Sequence, residues 1–258
     1  MNIHQQGHGP ALTLIHGWGM NSAVFAPLAA RLAQDFCVIL VDLPGYGRSS
    51  WAGEDLAAQL QLLAQTLPPS MLIGHSLGGV YAQALASRYP ERFSRLLLLN
   101  YNPCFVQRDD WSCAVSADVF GQFAASLESG WQGTIRRFLG LQMHGVAQSR
   151  ERVRTMTRLL IDGGAPQPQV LQFGLELLLQ SDTRAELATL PVPAKMLFGE
   201  RDTLVPQSVA AQIHRLNAAI GVECVARCAH APFLSHADNT IELICEFAQS
   251  STPRQDGG

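Results

Sequence analysis

The sequence predicts a doubly wound α/β domain whose mostly parallel sheet is interrupted by an inserted helical cap. Three observations carry this. Short runs rich in Leu, Ile and Val recur along the chain with helical stretches between them. An apolar run at residues 72–80 passes into a helix through the pattern Gly-x-Ser-x-Gly. The strand rhythm then stops between Tyr101 and Leu190, where the intervening residues read as helical.

The expected strands cover residues 12–15, 37–42, 71–74, 96–100, 194–199 and 222–226, all short and apolar enough to be buried on both faces. Helical stretches at 24–34, 54–66, 80–89, 207–218 and 240–248 alternate with them, which calls for right-handed crossovers. Within the interruption, helices are expected at 114–127, 131–144, 150–161 and 169–180. The Gly163-Gly164 pair, followed by Pro166 and Pro168, marks a break between two of them that could act as a hinge. The resulting division is a core of residues 1–101 and 190–248, a cap of residues 102–189 and a C-terminal tail of residues 249–258. That tail has no apolar anchor and is expected to be disordered.

The junction at residues 72–80 is a strand-to-helix turn that lifts a serine out of a sheet, so Ser76 is the expected nucleophile. Gly74 and Gly78 suit a turn in which backbones pass too close to leave room for a Cβ. The bare pattern also occurs in ordinary tight turns, so its partners decide the matter. A serine hydroxyl needs an imidazole to take its proton and a carboxylate to orient that imidazole. On such a sheet the chain order is Ser, then acid, then His. The strand 194–199 runs into a loop bearing Asp202, the expected acid, with Glu200 as its rival. The strand 222–226 runs into a loop bearing His230, the expected base. His236 lies farther past that strand, where a helix cap is the plainer reading. His4, His8, His144 and His214 have no strand-end context. The segment His16-Gly17-Trp18-Gly19-Met20 follows the first strand with the flexible backbone of an oxyanion hole. Its expected amide donors are Trp18 and Leu77, the residue after the nucleophile.

Composition narrows the field further. The 258 residues are 47% hydrophobic and 15% charged with a formal net charge of −3, which suits a single well-packed catalytic domain and argues against general nucleic-acid binding. Residues 1–11 show no basic start followed by a long apolar run. Neither a signal peptide nor a membrane span is expected, and the expected compartment is the cytoplasm. The six cysteines (Cys37, Cys104, Cys113, Cys224, Cys228 and Cys245) form no Cys-x-x-Cys pair and have no metal-ligand company, so reduced thiols are expected. Charge is uneven within the cap, where residues 131–160 hold Arg136, Arg137, Arg150, Arg152, Arg154 and Arg158 against Glu151 alone. Composition alone favours a solvated face here, and an acidic partner is the sharper alternative. The apolar set Trp131, Ile135, Phe138, Leu139 and Leu141 would face inward, as packing, as the wall of an acyl pocket, or as both.

With these residues assembled, the chain resembles the α/β-hydrolase superfamily nearly end to end. It most resembles the pimeloyl-acyl carrier protein methyl ester carboxylesterases of biotin synthesis, the BioH family. The stretches that carry the likeness are His16 to Asn21, Val41-Asp42-Leu43-Pro44-Gly45-Tyr46-Gly47-Arg48-Ser49, Gly74 to Gly79, Pro103-Cys104-Phe105 with Arg108 to Trp111, Arg137 to Gln142, and His230 to His236. The first three are common to the superfamily, whereas the cap segments and the His-Ala-Pro-Phe segment are more specific.

The resemblance implies a methyl ester on a pimeloyl chain carried by an acyl carrier protein, cut to the free carboxylate and methanol without metal or organic cofactor. It implies an acyl site lined by Trp18, Ser76, Leu77, Phe138, Leu139, Gly140, Leu141, Gln142 and His230, and docking of the acidic carrier on Arg137, Arg150, Arg154 and Arg158 by a chain acting as a monomer. Two positions depart from the family pattern: Gly133 replaces an arginine one turn before Arg137, and His75 replaces a tryptophan inside the nucleophile turn. The rival readings are a general short-chain carboxylesterase, a C-C bond hydrolase with the same triad, and a hydrolase fold kept as a binding protein. Ser76 argues against a dehalogenase or an epoxide hydrolase, which would want Asp there.

Overall fold

The computed structural model describes residues 1–250. The chain runs β1 (Ile3–Gln6), β2 (Ala11–Ile15), a 3-10 turn (Ser22–Phe25), α1 (Ala26–Leu32), β3 (Cys37–Val41), α2 (Leu56–Thr66), β4 (Met71–His75), α3 (Leu77–Arg88) and β5 (Arg95–Leu99). Four helices follow: α4 (Ala117–Gln142), α5 (Ser149–Gly163), α6 (Pro168–Gln180) and α7 (Arg184–Ala188). The remainder is β6 (Ala194–Gly199), α8 (Val209–Leu216), β7 (Gly221–Val225), α9 (Pro232–Ser235) and α10 (Ala237–Gln249). Seven strands form one sheet in the order β1-β3-β2-β4-β5-β6-β7. All pairings are parallel except β1 with β3, where Ile3 faces Val41.

Six of these strands match the apolar runs in the sequence. The unpredicted β1, Ile-His-Gln-Gln, carries no hydrophobic period because it lies on the edge with its middle residues exposed. The central strands β2, β4 and β5 are buried along almost their whole length, as strands covered by helices on both faces must be. From β2 the chain steps outward to β3, which lies between β2 and the edge strand β1, and from β4 it steps the other way to β5, β6 and β7. The crevice at the carboxyl ends of β2 and β4 is therefore the topological switch point, where open α/β sheets bind ligands.

The segment between β5 and β6 is helical, as the loss of strand rhythm implied, but divided differently. The two helices expected at 114–127 and 131–144 form a single run, α4, broken only at Gly130, where the backbone leaves helical geometry. The Thr134 hydroxyl bridges that break, donating to the carbonyls of Ser126 (2.8 Å) and Gly130 (3.2 Å). Helix α5 ends at the predicted glycine pair: Gly164 has φ +102°, and a Cβ there would lie 2.9 Å from the Gly47 carbonyl carbon. The Asn21 amide donates to the carbonyls of Leu160 (3.0 Å) and Gly164 (3.3 Å), satisfying the end of α5 and joining it to the loop after β2. The short helices α7 and α9 have too few residues to show a period and were not expected. Gln249 belongs to α10 rather than to the tail, and residues 251–258 of the expected tail lie outside the described residues.

Gly121 sits inside α4 with no atom within 4 Å of where a Cβ would stand. Gly121→Ala is expected to raise stability by about 1 kcal/mol, since Ala costs less backbone entropy in a helix. Gly164→Ala is expected to lower it. Urea titration of both variants checks this, and a loss of stability in Gly121→Ala would contradict it.

Candidate active site

Strand β4 delivers Ser76 into a sharp turn with φ 51° and ψ −120°, a region non-glycine residues occupy only under strain. The turn is held from both sides: the Ser76 N–H donates to the Leu99 carbonyl (3.1 Å) and the Gly79 N–H to the Ser76 carbonyl (2.8 Å). The flanking glycines are sterically required. A Cβ at Gly74 would stand 2.7 Å from the Ala82 Cβ, and one at Gly78 would strike the carbonyl oxygens of Ile15 and His16.

The loops after β6 and β7 bring Asp202 and His230 together. His230 Nδ1 lies 2.7 Å from Asp202 Oδ2, with both side chains out of water. The other Asp202 oxygen accepts the backbone N–H groups of Leu204 (2.8 Å) and Val205 (3.0 Å), and Asn100 Nδ2 donates to Oδ2 at 2.6 Å. The two backbone N–H groups and the Asn100 amide can only donate, so the Asp202 oxygens act as acceptors and the contact with His230 places the imidazole proton on Nδ1. His230 Nε2 is left as a bare acceptor, buried and without a hydrogen-bond partner among the described residues. Ser76 and His230 line one cavity. The rival acid Glu200 is exposed, and its carboxylate caps the Arg227 N–H at 2.6 Å. The rival base His236 is half-buried beside the Ser235 hydroxyl (2.9 Å), outside the residues that line this cavity.

His230 is also held by its backbone, a feature no motif announced. Its N–H donates to the carbonyl of Gln142, the last residue of α4 (3.1 Å), and its carbonyl accepts from His75 Nε2 (2.8 Å). Asn100, which orients Asp202, was missed for the same reason. It follows β5 with φ 48°, and only that unusual backbone position sets it apart.

The loop after β2 passes over Ser76: a Cβ on Gly17 would stand 3.2 Å from the Ser76 Cβ. His16 shapes this loop. Its Nε2 accepts the Leu43 N–H (3.1 Å), so its proton is on Nδ1 and is donated to the Gly17 carbonyl (2.9 Å). Leu77 is the first residue of α3, so helix geometry gives its N–H no acceptor within the helix. The Trp18 indole N–H is used elsewhere, donating to the Leu171 carbonyl (2.8 Å), while its ring stands edge-on to Phe138 at 4.8 Å.

Beyond Ser76 and His230 the cavity wall is apolar, made by Phe105, Val115, Val119, Phe120, Phe123, Phe138, Leu175, Leu178 and Leu204. Of the cap segment 138–142, Phe138 lines this cavity. Leu139 is packed in the core, Gly140 is exposed, Leu141 is half-buried, and the buried Gln142 meets the site through its carbonyl on His230. Trp18 and Leu77 come together at α6, where their side chains lie 2.8 and 3.2 Å from a Cβ position on Gly174. Arg137, Arg150, Arg154 and Arg158 are all exposed. Arg154 and Arg158 share an open groove between α4 and α5 with Arg136, Val153, Thr157, Ile161 and Asp162, a group that adds Arg136 and leaves Arg137 and Arg150 outside. Arg152 is engaged elsewhere, donating to the carbonyls of Ala147 (3.2 Å) and Leu234. Among the described residues, no group of three or more His, Cys, Asp or Glu side chains is placed to hold a metal ion, and no helix is long and apolar enough to cross a membrane.

A serine in a strained strand-to-helix turn at the switch point of a parallel sheet, sharing a cavity with an imidazole backed by a buried carboxylate, defines the class of alpha/beta hydrolases. The comparisons agree. The model of the alpha/beta hydrolase family matches residues 14–243. Relatives named pimeloyl-[acyl-carrier protein] methyl ester esterase include one from Stenotrophomonas maltophilia, 40% identical over the full length of both chains. Another, from Xylella fastidiosa, is 38% identical over 96% of this chain and 98% of its own. Among solved structures, an esterase from Exiguobacterium antarcticum superposes with a TM-score of 0.86 at 22% identity, covering 96% of this chain and 95% of its own. A bromoperoxidase from Bacillus anthracis does so with a TM-score of 0.86 at 20% identity and the same coverage. These two likenesses show the fold. The chain belongs to the alpha/beta hydrolase family and, within it, to the family of the pimeloyl-[acyl-carrier protein] methyl ester esterases.

Burial holds the imidazole of His16 below its ordinary value of 6.5, although Asp42 opposes the shift. Burial, and then the neighbouring His230, hold His75 well below the same value. Both rings recover the ordinary value on unfolding, so the unfolded chain takes up protons that the native state refuses once the pH falls below about 6.5. Stability is therefore expected to fall from that pH downward, by about 1.4 kcal/mol per pH unit for each ring while it stays neutral in the fold. Asp42, whose carboxyl lies below its ordinary value of 3.8, adds a loss only in more acid solution. Urea midpoints at pH 7.5 and pH 5.5 test this, and equal midpoints would contradict it.

Proposed function

We propose that the chain hydrolyses the methyl ester of pimeloyl-acyl carrier protein to pimeloyl-acyl carrier protein and methanol, the step its relatives are named for, acting as a monomer in the cytoplasm. The observation that carries the chemistry is the bare His230 Nε2, which shares with Ser76 a cavity otherwise walled by hydrocarbon.

In this reading Ser76 Oγ attacks the ester carbonyl while His230 Nε2 takes its proton, and Asp202 stabilises the imidazolium that forms. The Trp18 and Leu77 N–H groups receive the developing oxyanion. Methanol leaves with the proton held by His230. Water then attacks the acyl-enzyme by the reverse route, and every step is served by the protein's own groups. The apolar wall suits a polymethylene chain, each buried CH2 contributing about 0.8 kcal/mol. It also favours release of the product. The neutral ester is at home there, whereas the carboxylate product would lose its hydration and is driven out.

The outer face of the cap supplies the carrier-protein side of the reading. Acyl carrier proteins are acidic, and the exposed Arg154 and Arg158, with Arg136 in the same groove and Arg137 and Arg150 on the same two helices, form a basic surface to steer one. A general short-chain carboxylesterase would share the serine chemistry and need none of this charge.

One set of assays separates the readings. Ser76→Ala is expected to lower ester hydrolysis by several orders of magnitude with the fold intact. In the parent protein, cleavage of the carrier-bound pimeloyl methyl ester is expected to exceed that of a short p-nitrophenyl ester and to weaken as salt rises. Arg154→Glu with Arg158→Glu should raise KM for the carrier-bound ester alone. Retained hydrolysis by Ser76→Ala would sink the serine mechanism, and activity on the small ester alone would leave a general esterase with a solvated cap.

A further inference from the structure

His75, the residue immediately before the nucleophile, belongs to the sheet and takes no part in the chemistry above. Its ring is fully buried, packed 5.0 Å from the rings of both His230 and Phe233. Phe233 in turn leans on Phe25 at 4.7 Å, so the imidazole sits in an apolar clamp with little freedom to turn. A backbone carbonyl can only accept, so the 2.8 Å contact between His75 Nε2 and the His230 carbonyl makes Nε2 the protonated nitrogen. Nδ1 is then a bare lone pair with no partner among the described residues, beside Gly17 of the loop over Ser76. A buried ring with one nitrogen unsatisfied carries a cost, and the hydrogen bond made by the other nitrogen offsets it.

We propose that His75 is a positioning residue for the base: its Nε2–H fixes the His230 peptide relative to the Ser76 turn, so that His230 Nε2 faces the nucleophile. The backbone entering His230 is held by the Gln142 carbonyl on its N–H, at the end of a cap helix, and by Asn100 Nδ2 on the Ala229 carbonyl (3.2 Å); the His230 carbonyl, on the far side of the residue, is held by His75. The bond from His75 gives the base an anchor on its carbonyl side, in the same strand end that bears the serine. Asp202 sets the rotation of the imidazole, and His75 sets the position of the backbone from which it hangs.

The role rests on the esterase reading, and the test separates the two. A glutamine side chain carries its amide nitrogen as many bonds from the backbone as imidazole Nε2, an asparagine as many as Nδ1, and phenylalanine has no donor. For the short p-nitrophenyl ester, kcat is expected to fall about ten-fold in His75→Phe and His75→Asn, with KM within about two-fold of the parent. His75→Gln is expected to retain kcat within about three-fold of the parent. The rate at which a fluorophosphonate labels Ser76 should follow the same order. It requires no ester substrate, so it judges the positioning role even where the substrate reading fails. Equal losses in the Gln and Asn variants would reduce His75 to a packing residue, and unchanged rates in His75→Phe would remove the role. If His75→Phe does not fold, the comparison of Gln with Asn decides the matter.

Discussion

The hydrogen bond between Asp202 and His230 is the constraint on which the rest of this structure converges. A carboxylate withdrawn from water is costly unless donors replace its hydration. Here the replacements come from separate parts of the chain: Asn100 after β5, the Leu204 and Val205 amides after β6, and the imidazole after β7. Through the His230 backbone the same network reaches the end of β4 and the last turn of α4. Four strand ends and the cap are thus registered against one another by a single buried acid. In an interior of low dielectric such polar contacts are worth more than in water, and each one left unmade costs correspondingly more.

The sheet topology makes that convergence possible. Since the chain departs in opposite directions from β2 and β4, the loops following them leave a crevice rather than a covered edge. The His16 to Gly19 loop fills its floor, fixed by a histidine that accepts one backbone N–H and donates to one carbonyl. The cap closes the crevice from above with hydrocarbon and shows solvent its arginines. Helix α4 serves both faces at once: Phe138 points into the cavity, while its neighbour Arg137 is exposed.

Much of this was legible in the sequence, where a pattern has a steric or chemical cause. Gly74 and Gly78 are forced by close contacts, so the turn that carries Ser76 is written in residue types. The buried strands announce themselves as apolar runs. What stayed hidden has physical reasons too. The edge strand β1 is polar because one side of it faces water. Asp202 and Glu200 are equivalent in composition, and only the fold shows which of them meets backbone donors and the imidazole. Asn100 and the Gln142 carbonyl make their contacts by position alone, and no residue pattern gives Asn100 its bond to Asp202 or the Gln142 carbonyl its bond to His230. The helices expected at 114–127 and 131–144 are one run because the helix resumes directly after Gly130, with the Thr134 hydroxyl spanning the gap.

The central claim is that Ser76, His230 and the amides of Trp18 and Leu77 form one preorganised site opening into the apolar cavity. A crystal structure of the protein after reaction with an alkyl phosphonate ester tests it most directly, because the adduct mimics the tetrahedral intermediate. The account predicts phosphorus bonded to Ser76 Oγ, and the phosphonyl oxygen about 2.7–3.1 Å from both the Trp18 and Leu77 nitrogens. It also predicts His230 Nε2 beside the serine oxygen and the alkyl chain among Phe105, Phe123 and Phe138. An adduct on another serine, or a phosphonyl oxygen turned away from both amides, would contradict it.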